Sequence, residues 1–79
     1  MLKRSFSLQG HRTSIALEEA FWTALENIAR SRNITLPQLI SEIDRKRLAQ
    51  EPPAGLASSL RVFALADAQA QNAQSNIED

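Results

Sequence analysis

The side chains with the clearest capacity for specific contacts lie in residues 12–17, where polar and apolar residues alternate. Successive side chains of a β-strand point to opposite faces, so Arg12, Ser14 and Ala16 share one face and the opposite face is apolar. An arginine on such a face can hold guanine O6 and N7 through two hydrogen bonds. The alternatives for Arg12 are a solvated surface position and an ion pair between subunits.

The neighbouring polar residues offer further contacts, each with a plainer alternative. Ser14 either hydrogen-bonds a base or packs against a side chain across the ribbon, and the methyl group of Ala16 can meet a thymine methyl. Lys3 and Arg4 either bind phosphates or belong to a solubilising terminus. His11 is interpreted as a phosphate or surface contact rather than a metal ligand.

A lone strand needs a partner, because its backbone N–H and C=O groups cannot pair with one another. The sequence shows one clear strand, which predicts a mainly α fold with one short β-strand. We expect that partner to be the same strand of a second copy, which predicts an intertwined homodimer with an antiparallel two-stranded ribbon between subunits.

Residues 2–9 also alternate, and Gly10 follows them as a turn or bulge signal. This segment is interpretable as a hairpin partner for residues 12–17, as an extension of the ribbon, or as a flexible basic arm. We favour the last interpretation, with residues 1–9 as an extended arm that orders on the dimer or on DNA.

Two helices with apolar stripes are predicted after the strand. Glu18 and Glu19 begin the first helix, where acidic side chains suit the helix dipole, and it should end near Arg32. The second helix begins at Thr35, which forms a predicted capping box with Gln38.

A linker with two prolines and a glycine at 51–55 precedes a third predicted helix over residues 56–66. The predicted domain therefore spans residues 10–66. Residues 67–79, rich in Ala, Gln and Asn, are expected to form a frayed or disordered tail. The expected dimer core consists of apolar strand and helix positions: Thr13, Ile15, Leu17, Phe21, Trp22, Leu25, Ile28, Leu39, Ile40 and Ile43.

The charge of the chain is zero overall but unevenly distributed. Residues 1–16 carry three basic residues and no acidic ones, whereas residues 52–79 carry one basic and three acidic residues. The local field of a basic segment matters more for binding an anionic polymer than the total charge does.

Composition argues against several classes of protein. The 79 residues are 43% hydrophobic and include no cysteine and one histidine, which argues against disulfides and metal sites. No apolar run has the length of a membrane span and no hydrophobic signal core is seen, so a cytoplasmic protein is expected. No nucleophile–base set or glycine-rich phosphate loop is present, so neither an enzyme nor a cofactor is expected.

The order of strand, helix, turn and capped helix resembles the ribbon-helix-helix fold of the Arc/MetJ-like superfamily. More narrowly, the chain resembles a family of short bacterial ribbon-helix-helix proteins over residues 3–66. The motifs that carry this resemblance are Lys3-Arg4-Ser5, Gly10-His11-Arg12-Thr13-Ser14, Leu17-Glu18, Phe21-Trp22 and Leu56-Ala57-Ser58-Ser59-Leu60-Arg61-Val62.

The resemblance implies a homodimer, and a higher oligomer on DNA, whose ribbon enters the major groove of double-stranded DNA. It maps base reading onto Arg12, Ser14 and Ala16, and phosphate binding onto Thr35 and the Leu36 N–H. The implied function is a sequence-specific transcriptional regulator, specifically a repressor. The alternative is a protein-interaction module, such as an antitoxin that binds its partner protein through the C-terminal tail.

Overall fold

A hairpin followed by three helices makes up the described part of the chain. The computed structural model describes residues 1–78, with side chains described for residues 1–72. The elements are β1 (Leu2–Leu8), β2 (His11–Leu17), α1 (Glu19–Ser31), α2 (Leu36–Leu48) and α3 (Leu56–Glu78). The predicted mainly α architecture, with an antiparallel two-stranded ribbon and a third helix, is confirmed.

Both strands of the ribbon belong to the same chain. β1 pairs antiparallel with β2 along its full length, from Leu2 opposite Leu17 to Leu8 opposite His11. The segment expected to be a basic arm is therefore the hairpin partner of β2. β1 supplies backbone partners along one edge of β2, and the intersubunit ribbon stays a prediction. The homodimer itself stays a prediction.

A two-residue turn joins the strands. Gln9 has φ 52° and Gly10 has φ 82°. Positive φ at both central residues is the requirement of a type I′ turn, whose twist matches that of the flanking strands. Glycine adopts this conformation freely, whereas glutamine does so at a cost.

Gly10→Ala is expected to lower the free energy of unfolding by about 1–2 kcal/mol, the cost of a left-handed conformation for a residue with a Cβ. No heavy atom lies within 4 Å of the added Cβ, so the loss is conformational rather than steric. Gln9→Asn is the matched variant and should raise the free energy of unfolding, because asparagine tolerates positive φ. Urea unfolding followed by circular dichroism measures the stability of both variants. Equal stability of the wild type and the two variants would contradict the turn assignment.

The hydrophobic core is buried by residues of the same chain. Leu17, Trp22 and Leu25 are no more than 1% exposed. Of the expected dimer-core residues, eight are buried inside this single chain, while Thr13 and Phe21 are half-buried. Residues from β1 and α3 complete the core: Phe6, Leu8, Leu60 and Ala64.

Local signals explain where α1 ends and where α2 begins. Arg32 is the C-cap of α1, which agrees with the predicted end of this helix. Asn33 then reverses the chain direction with a φ of 61°. The predicted capping box of α2 is confirmed: Gln38 N donates to Thr35 Oγ1 at 3.2 Å, and Thr35 N donates to Gln38 Oε1 at 2.8 Å.

Helix α3 is longer than expected. It continues past residue 66 to Glu78, so the described part of the predicted tail is helical. Residue 79 lies outside the described residues. The extension has a simple cause, since alanine and glutamine favour helix and no glycine or proline interrupts the sequence after Gly55.

An ion pair ties α3 to the start of α1. Arg61 Nε donates to Glu18 Oε1 at 2.9 Å. This hydrogen bond, with a smaller contribution from a backbone hydrogen bond, lowers the pKa of the Glu18 carboxyl below its ordinary value. The ion pair therefore stabilises the fold at pH values above the ordinary pKa of a glutamate. This stabilisation is lost as the pH falls through the lowered pKa of Glu18.

A buried carboxylate holds the linker before α3. Asp44 is 4% exposed and accepts a hydrogen bond from Arg47 Nε at 2.9 Å. Arg47 Nη1 donates in turn to the Ala54 carbonyl at 2.9 Å. The guanidinium therefore connects α2 to the linker, and the buried charge of Asp44 is paired.

Candidate nucleic-acid interface

The face of the ribbon that points away from the core is polar and built from small side chains. Residues directly opposite one another in an antiparallel pair lie on the same face. The register therefore places three cross-strand pairs on this outer face: Lys3 opposite Ala16, Ser5 opposite Ser14, and Ser7 opposite Arg12. All six are exposed except Ala16, which is half-buried. The outer face thus combines all three predicted base-reading residues with three residues of β1.

The outer face carries positive charge and no negative charge. Lys3 and Arg12 are its charged residues, and neither takes part in an ion pair in the described part of the chain. Their charged groups are free to meet an external anion. A local surface of this kind favours a negatively charged partner even though the whole chain is neutral.

Two serines occupy the middle of the outer face. Ser5 Oγ and Ser14 Oγ are 3.2 Å apart, within hydrogen-bonding distance of each other. A hydroxyl keeps both donor and acceptor capacity, so each serine can also bond to an external group. Because serine is short, the backbone of the ribbon can approach a partner closely at this point.

Arg4 does not lie on the outer face. Its Nη1 forms an ion pair with Glu26 Oε1 at 2.7 Å, and its guanidinium lies 5.1 Å from the ring centroid of Trp22. The Trp22 indole N–H donates to the Leu2 carbonyl at 2.8 Å. Arg4 therefore helps to fix β1 on α1, and its role in binding phosphate stays a prediction.

The other predicted phosphate contacts lie apart from the outer face. His11 is exposed beside the hairpin turn and has the strand parity of the inner face. Thr35 and Leu36 line a cleft of about 480 Å³ between α1 and α2. The capping box already uses the N–H groups of Thr35 and Gln38, and Pro37 has none. The Leu36 N–H is therefore the donor left for a phosphate in this turn.

Neither a metal centre nor a membrane span emerges from the described residues. No cluster of three or more His, Cys, Asp or Glu side chains that could hold a metal ion is found among them. No helix in the described part of the chain is long and apolar enough to cross a membrane.

Ser5 and Ser7 are the residues of the outer face that the sequence interpretation missed. Their signal was present, because residues 2–8 alternate and a two-residue connection with glycine follows them. A hairpin interpretation would have placed both serines on the same face as Arg12.

The ribbon, the capped second helix and the order of elements agree with one known family. The ribbon-helix-helix domain family matches residues 1–68 of the chain. The chain belongs to the ribbon-helix-helix family. No characterised protein and no solved structure gives a significant match. Ribbon-helix-helix domains are in general DNA-binding regulators or antitoxins, and they are typically not enzymes.

Proposed function

We propose that this ribbon-helix-helix protein is a sequence-specific transcriptional regulator, specifically a repressor, that reads the major groove of double-stranded DNA. The outer face of the ribbon carries the proposal, since it is exposed, basic and free of acidic groups. The major groove admits a two-stranded β-ribbon, and it displays a distinct pattern of donors and acceptors for each base pair.

Each outer-face residue of β2 has a role that fits its chemistry. Arg12 supplies two hydrogen bonds to guanine, Ser14 bonds to a base edge, and Ala16 meets a thymine methyl group. Nothing described competes for the Arg12 guanidinium, since no ion pair engages it in the described part of the chain.

Phosphate contacts would fix the register of the ribbon on DNA. Lys3 is suited to this role because it is exposed at the edge of the outer face. The Leu36 N–H at the start of α2 is a second donor, favoured by the helix dipole. Arg4 is left out of this set because Glu26 and Trp22 hold it.

More than one copy is expected on an operator, because one ribbon contacts only a few base pairs. Ribbon-helix-helix proteins typically bind DNA as dimers. A homodimer, or a higher oligomer assembled on DNA, remains the expectation for this protein.

Selection of genomic fragments by the purified protein, followed by titration of a selected duplex at several salt concentrations, tests the proposal. We expect enrichment of a common sequence and an affinity that falls with salt. Two to four phosphate contacts give a slope of about −2 to −4 for log K against log salt concentration. Recovery of the same fragments as with protein-free resin would rule out DNA selection, and a slope of zero would rule out the phosphate contacts.

The antitoxin alternative has one observation in its favour. Val62 and Leu65 of α3 are 63% and 55% exposed, so this helix offers apolar side chains to a protein partner. In that case Val62→Asp with Leu65→Asp should release a stoichiometric partner protein and leave DNA binding intact. A partner retained by the double variant would count against α3 as its binding surface.

A further inference from the structure

A groove of about 290 Å³ lies between α2, the linker and α3. Its apolar walls come from Ile43 of α2 and from Val62 and Phe63 of α3. Ile43 is buried in the core, whereas Val62 is exposed, so part of the apolar wall is left in contact with water. Ligand pockets have volumes of about 300–1,000 Å³, so this groove suits a small molecule of about one ring.

The charged residues of the groove are basic. They are Lys46 and Arg47, and no acidic residue is found among the described residues that line it. Lys46 Nζ is 3.3 Å from Glu42 Oε1, but the lysine side chain is 70% exposed, so this ion pair is weak. An ammonium group has three donors and can bind a second anion. The charges that line the groove therefore favour a negatively charged ligand.

Arg47 is held in a fixed position at the groove. Its Nε donates to Asp44 and its Nη1 donates to the Ala54 carbonyl. These two hydrogen bonds leave its Nη2 donors unused, since a guanidinium group has five N–H donors. A guanidinium that is already fixed loses little conformational entropy when it binds a carboxylate.

We propose that this groove binds a small aromatic carboxylate, with its ring against Val62 and Phe63 and its carboxylate beside Lys46 and Arg47. An aromatic ring suits Phe63 because aromatic pairs stack favourably, and a carboxylate suits the planar guanidinium of Arg47. Such a ligand contacts α2, the linker and α3 at once, so it stabilises the folded chain in proportion to its occupancy. The site shares no residue with the outer face of the ribbon and does not depend on the proposed function.

Titration of the isotope-labelled protein with benzoate tests the site. We expect saturable amide shifts at Ile43, Gln50, Ser59 and Phe63, with a dissociation constant of about 1–10 mM for so small a ligand. Benzyl alcohol has the ring without the charge and should bind about tenfold more weakly. Acetate has the charge without the ring and should give no saturable shifts over the same range. Absence of saturable shifts with benzoate, or equal affinity for benzoate and benzyl alcohol, would overturn the proposal.

Two pairs of variants locate the bound ligand. Lys46→Gln should weaken benzoate binding about two- to fivefold and leave benzyl alcohol unaffected. Arg45→Gln replaces an exposed arginine outside the groove and should change neither affinity. Val62→Asp places an acidic group in the groove and should abolish benzoate binding, whereas Leu65→Asp on the same helix, outside the groove, should not. Equal effects within either pair would show that benzoate binds elsewhere.

A second copy of the chain is the other occupant to test. Sedimentation equilibrium of the wild type and of Val62→Asp at the same concentration measures whether the groove lies between copies. We expect the same molar mass for both proteins. A lower molar mass for Val62→Asp would show that a second copy covers the groove, and this result would also refute the ligand site.

Discussion

Trp22→Ala is expected to lower the free energy of unfolding by about 3–5 kcal/mol, the usual cost of replacing a buried tryptophan by alanine. A domain of this size has a total stability of roughly 4–12 kcal/mol, from about 0.05–0.15 kcal/mol per residue. The substitution therefore removes a large part of the stability of the fold.

The position of Trp22 explains the size of this effect. Its ring centroid is 5.8 Å from that of Phe6, its indole N–H bonds to the Leu2 carbonyl, and Arg4 lies over its face. All three contacts are with β1. Loss of Trp22 therefore creates a cavity in the core and also detaches the strand that completes the ribbon.

Trp22→Phe is the matched control, because it retains an aromatic ring and removes the indole N–H. We expect a loss of about 1–2 kcal/mol for the missing hydrogen bond and the smaller ring. Urea unfolding followed by circular dichroism measures both variants. If Trp22→Ala were no less stable than Trp22→Phe, the tryptophan would not join β1 to the helices as described.

Arg12→Ala is expected to reduce the discrimination between the selected DNA sequence and a random duplex by roughly 5- to 150-fold, which corresponds to about 1–3 kcal/mol. The fold should be unaffected, because Arg12 is exposed and no ion pair engages it in the described part of the chain. Competition binding against the two duplexes measures the ratio directly.

Two further variants separate base discrimination by Arg12 from the general contribution of a positive charge to DNA affinity. Arg12→Lys keeps the positive charge but loses the planar pair of donors, so general affinity should persist while discrimination falls. Arg45→Ala removes an exposed arginine from α2 and should leave discrimination unchanged. An Arg12→Ala protein that still prefers the selected sequence to the wild-type degree would show that Arg12 does not read bases.

The helices and the core were predictable from the sequence because their signals are local. Apolar spacing identifies the buried faces, the Thr35–Gln38 pair starts α2, and Asn33 follows the end of α1. Tertiary contacts did not change these preferences. The predicted burial of Leu25 and Leu39 therefore agrees with the structure, where both are fully buried within the chain.

The origin of the second strand was harder to predict because the turn signal was incomplete. Asn-Gly is the strongest two-residue hairpin signal, whereas Gln9 is an unusual residue at positive φ. Turn preference alone therefore did not favour the hairpin over a free arm. The decisive contacts of β1 are with Trp22 and Glu26, which lie far along the chain.

The ion pair of Glu26 was also not predictable from neighbouring residues, because its partner is distant in the sequence. The spacing of Glu26 and Arg30 predicts a pair within α1. In the structure Glu26 binds Arg4 instead, while Arg30 donates to Asn27. Only the folded hairpin brings Arg4 to α1, so the ion pair between Arg4 and Glu26 could not follow from local spacing.

Mapping the amide chemical shifts of the isotope-labelled protein during titration with a selected duplex tests most directly whether the outer face of the ribbon contacts DNA. We expect the largest changes in β1 and β2, centred on Ser5, Ser7, Arg12 and Ser14, and little change at Val62 and Leu65 of α3. Shifts concentrated on α3, with both strands unchanged, would contradict DNA reading by the ribbon.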